Sequence, residues 1–125
     1  MEILFANVMG FCFGVRRAVE LAQKSLNENC GKKVYSLGPL IHNEKVLEAL
    51  KQKGLNIIEE NDIDHIEKES VVIIRAHGVA PKIIKNLEEK KCVIVDATCP
   101  RVKASQKMVE RYSAEDDFVI LTGDK

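Results

Sequence analysis

The sequence predicts an α/β fold in which alternating strand and helix units form a mainly parallel sheet. Its 125 residues, 46% of them hydrophobic, are enough for one domain with a hydrophobic core. Short apolar runs rich in Val and Ile alternate with segments whose apolar residues have helical spacing. Such runs are typical of strands buried on both faces, so helices should cover both sides of the sheet. The predicted strands cover residues 2–8, 33–37, 55–59, 71–75, 92–96 and 117–122.

The first two helices are predicted from apolar residues that lie three and four positions apart. One helix follows Cys12 and should end near Gly31, because glycine readily adopts the left-handed conformation found after helices. Its inward face carries Val15, Ala18, Val19, Ala22 and Leu26. A second helix covers about residues 43–53 and ends at Gly54. Its inward face carries Val46, Leu47 and Leu50.

Two further helices should begin at Pro81 and Pro100, since proline in the first helical turn sacrifices no hydrogen bond. The residues that these helices should turn inward are Ile83, Ile84 and Leu87, then Val102, Met108, Val109 and Tyr112. Between two of the strands, residues 60–70 are acidic and irregular. That composition predicts a short helix or a surface connection.

Charge and composition argue against several classes of protein. The 19 Lys and Arg residues balance 19 Asp and Glu residues, so electrostatics favour neither a nucleic acid nor an anionic membrane as partner. The apolar runs have the length of strands and are too short to cross a bilayer. A strand-like run begins almost at Met1, so we expect no leader peptide. Four cysteines in a chain without an export signal indicate a reducing compartment, and we therefore expect the cytoplasm.

Four side chains capable of chemistry come shortly after predicted strands: Cys12, His42, His77 and Cys99. The carboxyl ends of parallel strands meet at one edge of a sheet, and ligands bind at that edge. We therefore expect all four side chains there. The other histidine and cysteines, which we interpret as a surface residue and two structural thiols, are His65, Cys30 and Cys92.

Cys12 and Cys99 each precede a predicted helix, where unpaired backbone N–H groups favour a thiolate. With the two histidines they could form a non-catalytic zinc module, although the close ligand spacing of zinc fingers is lacking. The wide spacing fits an iron–sulfur cluster better than a zinc finger, because such clusters take thiolates from scattered loops. A flavodoxin-like or nucleotide-binding domain is a third possibility, but the chain has no G-x-G-x-x-G or P-loop motif. The basic residues beside the cysteines, interpreted as solvated helix charges, are Arg16, Arg17, Arg101 and Lys103.

Four short motifs surround these cysteines and histidines. They are GFCFGVRRA at 10–18, GPLIHN at 38–43, AHGV at 76–79 and DATCP at 96–100. In this order and spacing they resemble the 4-hydroxy-3-methylbut-2-enyl diphosphate reductase family, which catalyses the last step of the methylerythritol phosphate route to isoprenoids. Any one motif would be weak, but the four together make the resemblance specific.

The resemblance implies a fold of three α/β lobes around a [4Fe-4S] cluster, with Cys12 and Cys99 as two of its ligands. It implies that His42 and His77 bind the diphosphate of an allylic substrate. Two electrons and two protons would remove the substrate's hydroxyl as water, which yields isopentenyl or dimethylallyl diphosphate. A ferredoxin or flavodoxin would donate the electrons.

The resemblance also implies that this chain is part of a longer protein. The family's third cysteine and its acid and base groups would lie beyond Lys125, so no catalytic acid or base is expected in this part. We expect residues 1–96 to form the first lobe and residues 97–125 the opening helix and strand of a second lobe. On this interpretation the 125-residue chain alone is inactive.

Overall fold

In a computed structural model, which describes residues 1–5, 9–115, 118–120 and 122, the chain forms an α/β fold around a parallel four-stranded sheet. The sheet has the order β2-β1-β3-β4, and every neighbouring pair is parallel. The predicted fold class is therefore confirmed, and each of these strands lies within one residue of its predicted limits. The strands are β1 (Val34–Leu37), β2 (Leu55–Ile58), β3 (Val71–Ile74) and β4 (Val93–Asp96).

The predicted helices are also present. They are α1 (Phe13–Glu28), α2 (Glu44–Gln52), α3 (Pro81–Glu89) and α4 (Pro100–Ala114). Asn43 caps α2 by accepting a hydrogen bond from the backbone N–H of Val46 at 3.1 Å. The acidic segment forms a short 3-10 helix, Glu60–His65, followed by an irregular connection.

Two hydrophobic cores lie on opposite faces of the sheet, as alternating strand side chains require. On one face, Ala18 and Ala22 of α1 and Leu50 of α2 pack in one cluster with Val71 and Ile73 of β3. On the other face, Leu87 of α3 packs in a second cluster with the alternate β3 residues Val72 and Ile74. Each of the four β3 residues is buried, so this strand is the centre of both cores.

Two predicted strands are not supported. Residues 2–5 form no strand, and residues 6–8 of that prediction lie outside the described part of the chain. The described residues of the predicted strand 117–122 form no strand either, while 117 and 121 are not described. Phe5 is 77% exposed and Phe118 is 91% exposed. Apolar sequence alone does not make a strand, since a strand also needs a neighbour to accept its hydrogen bonds.

The predicted inward face of α4 is wrong for this structure. Among its described residues α4 buries none, and Met108 is 57% exposed. The helical spacing of its apolar residues is real, but the described residues leave Met108 and Tyr112 of that face exposed. Within the described residues, no helix is both long and apolar enough to traverse a lipid bilayer.

Candidate functional site

Cys12 and Cys99 occupy equivalent positions, because each is the N-cap residue of a helix, α1 and α4 respectively. Neither sulfur caps its helix by a hydrogen bond. The two helix starts are in contact: a methyl group added at Gly14 would lie 2.7 Å from Sγ of Cys99. The structure thus brings Cys99 against the first turn of the helix that Cys12 begins. Both thiols reach the surface, Cys12 fully and Cys99 in part.

The loop that carries Cys99 is held by its neighbours on two sides. Arg17 of α1 donates hydrogen bonds to the backbone carbonyls of Asp96 and Thr98, at 3.1 and 3.2 Å. The backbone N–H of Cys99 donates to the carbonyl of Ala76 at 2.8 Å. Arg17 is therefore not the solvated charge that the sequence indicated. It fixes the position of Cys99 relative to α1.

Asp96 organises the same loop from within. Its carboxylate accepts a hydrogen bond from the backbone N–H of Thr98 at 2.9 Å and forms an ion pair with Lys103. Partial burial opposes ionisation of Asp96, but the hydrogen bonds from Lys103 and Thr98 outweigh it and lower the pKa of the carboxyl group. Lys103 is thus a paired charge rather than a free one.

His42 and His77 lie side by side. Their ring centroids are 5.2 Å apart and the rings are stacked, with an interplanar angle of 29°. His42 follows β1 and His77 follows β3, which are neighbours in the sheet. The chain passes from β1 outward to β2 on one side and from β3 outward to β4 on the other, so the strand order switches between β1 and β3. Ligands of open α/β sheets bind at this crossover point. Both side chains are exposed, so a ligand could reach them.

The cysteine pair and the histidine pair adjoin through the Cys99–Ala76 hydrogen bond, since Ala76 directly precedes His77. Among the described residues, however, no three His, Cys, Asp or Glu side chains converge closely enough to hold a metal ion. The four predicted residues are therefore not arranged as a zinc site in this structure. The two imidazoles stack on each other, while Cys99 packs against the start of the helix that Cys12 begins.

An open cleft of about 1210 Å³ lies beside His77, between the start of α3 and one side of α4. Its wall carries charges of both signs, from Arg75, Arg101, Lys103 and Lys107 and from Glu60 and Glu110. Cys12, His42 and Cys99 are not among its lining residues. The cleft therefore borders the histidine pair without enclosing the cysteines.

A sequence model of the LytB protein family matches residues 3–125. This chain belongs to the LytB family. A relative from Caldanaerobacter subterraneus named 4-hydroxy-3-methylbut-2-enyl diphosphate reductase is 43% identical over the whole chain. The chain spans 43% of that relative's length.

Two solved structures of LytB-type reductases have the same fold as this chain. One, described as the terminal enzyme of the non-mevalonate pathway, has a TM-score of 0.81 and 42% identity, with 98% of this chain and 42% of that chain covered. The other, from Plasmodium falciparum, has a TM-score of 0.81 and 32% identity, with 87% of this chain and 33% of that chain covered.

Sequence reasoning missed three residues that shape the LytB site. Gly14 allows Cys99 to approach α1, Arg17 holds the Cys99 loop, and Arg75 lies between the histidine segments. Gly14 and Arg17 belong to the motif around Cys12, so that motif could have indicated that they shape the site. Arg75 directly follows a buried strand, but nothing in the sequence identifies its partner.

We expect Gly14→Ala to destabilise the LytB chain and disturb Cys99. Alanine should favour an isolated helix by about 1 kcal/mol. Here its methyl group would lie 2.7 Å from Sγ and 3.0 Å from Cβ of Cys99. Overpacking of this kind costs about 1–3 kcal/mol, so urea unfolding should give a lower midpoint despite the better helix former. The control is Gly14→Ala in a Cys99→Ala background, where Sγ is absent and the loss of stability should be smaller. An equal loss of stability in both backgrounds would contradict the contact between Gly14 and Cys99.

We expect Asp96 to make stability depend on pH in acid. The pKa of Asp96 is lowered in the folded state, so its contribution is present at neutral pH and is lost as the pH falls through that pKa. Asp96→Asn should therefore narrow the difference between urea midpoints measured at about pH 7 and about pH 3. Glu89→Gln, at an exposed carboxylate of α3, is the control and should leave the difference unchanged. A pH profile unaltered by Asp96→Asn would refute this role.

Proposed function

We propose that this chain supplies part of a 4-hydroxy-3-methylbut-2-enyl diphosphate reductase, an iron–sulfur oxidoreductase that removes the hydroxyl of an allylic diphosphate. The observation that carries the proposal is the pairing of Cys99 with the start of α1, next to two stacked histidines, in a LytB chain. Relatives and solved structures of this family are named for that activity. The products would be isopentenyl and dimethylallyl diphosphate.

Cys12 and Cys99 would hold the iron–sulfur cluster. Their thiolates are the donors that such clusters prefer, and the missing side chain of Gly14 lets Sγ of Cys99 pack directly against the first turn of α1. A [4Fe-4S] cluster held there would relay two electrons from an external donor, which together with two protons would release the hydroxyl as water. Each cysteine lies at the N-terminus of a helix, α1 or α4, and the positive end of the helix dipole there favours the negative charge of a thiolate. Further ligands and the acid that delivers protons would come from outside these 125 residues.

His42 and His77 would bind the diphosphate. Protonated imidazoles donate charge-assisted hydrogen bonds to phosphate oxygens. With the ring centroids 5.2 Å apart, both imidazoles can contact the same anionic ligand. Each histidine also lies close in sequence before a helix, α2 or α3, whose N-terminus favours anions.

We further propose that residues 1–96 form the first lobe and residues 97–125 the opening of a second. The exposed apolar side chains of α4 support this division, because they need a covering surface. A ferredoxin or flavodoxin would be the electron donor, and the cytoplasm would be the compartment. Four free cysteines support a reducing environment.

Reconstitution with iron and sulfide tests the proposal. A complete reductase that contains this chain should gain iron and acid-labile sulfide under anaerobic conditions and convert the allylic diphosphate with a strong reductant. The chain alone should show no turnover, since its motifs hold only two of the cluster cysteines. A complete protein that binds zinc without sulfide would overturn the function, and turnover by the chain alone would overturn the division into parts.

A further inference from the structure

Arg75 crosses the end of a neighbouring strand. Leu37 and Ile74 are paired in the sheet, so Gly38 and Arg75, one residue further along each strand, lie side by side. A methyl group added at Gly38 would lie 2.5 Å from Nη1 and 3.5 Å from Cζ of Arg75. The guanidinium therefore passes directly over Gly38. Any larger residue at that position would block it.

Beyond Gly38, Arg75 reaches the 3-10 helix that follows β2. Its Nη2 donates to Oε1 of Glu60 at 2.7 Å, and the two side chains are only 29% and 33% exposed. Since β1 lies between β3 and β2, this Arg75–Glu60 bridge spans the ends of three adjacent strands. Its central crossing point is Gly38, which has a left-handed φ of +69°.

The bridge ties together the segments that carry both histidines. His77 lies two residues after Arg75, and His42 lies four residues after Gly38. Residues 40 and 41, between Gly38 and His42, are buried in the core, so the short segment from Gly38 to His42 is packed against the fold. Fixing the guanidinium against Gly38 thus fixes the distance between the two histidine segments.

One atom of Arg75 lowers the stability of the folded chain. Its Nε is buried and has no hydrogen-bond partner in the described part of the chain. A buried unpaired donor lowers stability, so a purely stabilising residue would be better paired. Lysine could not replace the two-pronged guanidinium, which contacts Glu60 with one nitrogen while the other lies over Gly38.

We propose that Arg75 is a positioning residue that, through the Arg75–Glu60 bridge over Gly38, holds His42 and His77 at the spacing needed to bind a diphosphate. This inference rests on the proposed function for its ligand. Its structural part, the spacing of the two imidazoles, is independent of that function.

The first test uses inorganic pyrophosphate as probe and a complete reductase containing this chain. Arg75→Gln and Glu60→Gln should each weaken pyrophosphate binding by about tenfold and raise KM more than they lower kcat, because misplaced binding groups lose affinity steeply. The double variant should bind no more weakly than either single variant, because both changes remove one bridge. Pyrophosphate affinity within twofold of wild type for Arg75→Gln would overturn the proposal.

The matched control is the ion pair at the opposite edge of the sheet. Lys33, just before β1, contacts Glu67 at 2.6 Å, and these side chains are 57% and 58% exposed. Lys33→Gln should leave pyrophosphate affinity unchanged. An equal loss in Lys33→Gln would show a general effect of lost charge pairs and would overturn the positioning role.

A second pair of variants separates steric from backbone effects. Gly38→Ala places a methyl group on the path of Arg75 and strains a left-handed φ. Gly31→Ala strains a left-handed φ of +98° but meets nothing within 4 Å. Gly38→Ala should weaken pyrophosphate binding about as much as Arg75→Gln, and Gly31→Ala should leave it unchanged. Similar affinities for the two glycine variants would count against the bridge.

Failure of this inference can be distinguished from failure of the proposed function. Nuclear Overhauser effects between the rings of His42 and His77, measured without ligand, report their stacking directly. Arg75→Gln should weaken these effects and Lys33→Gln should not. Unchanged effects in Arg75→Gln would overturn the positioning role whatever the pyrophosphate result. Weakened effects in a protein that does not bind pyrophosphate would support the positioning role and reject the diphosphate assignment.

Discussion

Replacing either Cys12 or Cys99 with serine in the complete reductase is expected to abolish turnover and remove most of the bound iron and sulfide. A serine hydroxyl is a poor ligand for iron in a cluster that prefers thiolates. Both residues are N-caps without a side-chain hydrogen bond, and serine is a good N-cap residue. The variants should therefore keep their helices, so that the loss measures the ligand and not the fold.

Cys30 and Cys92 provide the controls for this result. Cys30 is exposed after α1 and lies 3.4 Å from the carbonyl of Asn27, and Cys92 lies 3.7 Å from Oγ of Ser70. Serine can replace both contacts, so iron and sulfide content should remain near wild type. The assignment is wrong if Cys30→Ser or Cys92→Ser empties the site while Cys12→Ser retains it.

The second large effect is expected at the histidines. His42→Ala or His77→Ala should weaken pyrophosphate binding about ten- to a hundredfold, because a hydrogen bond to a charged group typically contributes about 1.5–3 kcal/mol. Iron and sulfide content should stay near wild type, since neither imidazole is a proposed cluster ligand. Isothermal titration with pyrophosphate and metal analysis on the same samples measure both quantities.

His65→Ala is the matched control for the histidine variants. This side chain is 79% exposed and lies 4.0 Å from Asp62, on the 3-10 helix. Its loss should change neither affinity nor metal content. If His42→Ala and His77→Ala instead release metal, a zinc module using both histidines explains the data better than diphosphate binding does.

Local sequence determined which elements could be predicted. The first helix and the proline starts of two later helices are predicted from nearby residues, and all are confirmed. The burial of α4 was not predictable, because it depends on what packs against that helix. The described residues 2–5 of the predicted first strand form none for the same reason, since pairing partners are not encoded in the strand itself.

The site shows the same division between local and distant information. The helix-start position of Cys12 and Cys99 could be predicted from their neighbours in sequence. The order of the strands could not, and the stacking of His42 on His77 and the passage of Arg75 over the β1 end both depend on that order. Motif residues indicate which side chains matter, whereas strand order determines which of them meet.

The complete burial of β3 also has a practical consequence for amide hydrogen exchange. Backbone N–H groups of a strand at the centre of two cores exchange with solvent only when the whole domain unfolds, whereas those of an exposed helix such as α4 exchange through local opening. Exchange at the amides of Val72 and Ile73 therefore measures global stability, in the same sample in which exchange at loop amides measures local opening. A variant that speeds exchange near His77 but leaves these two amides protected acts on the site alone.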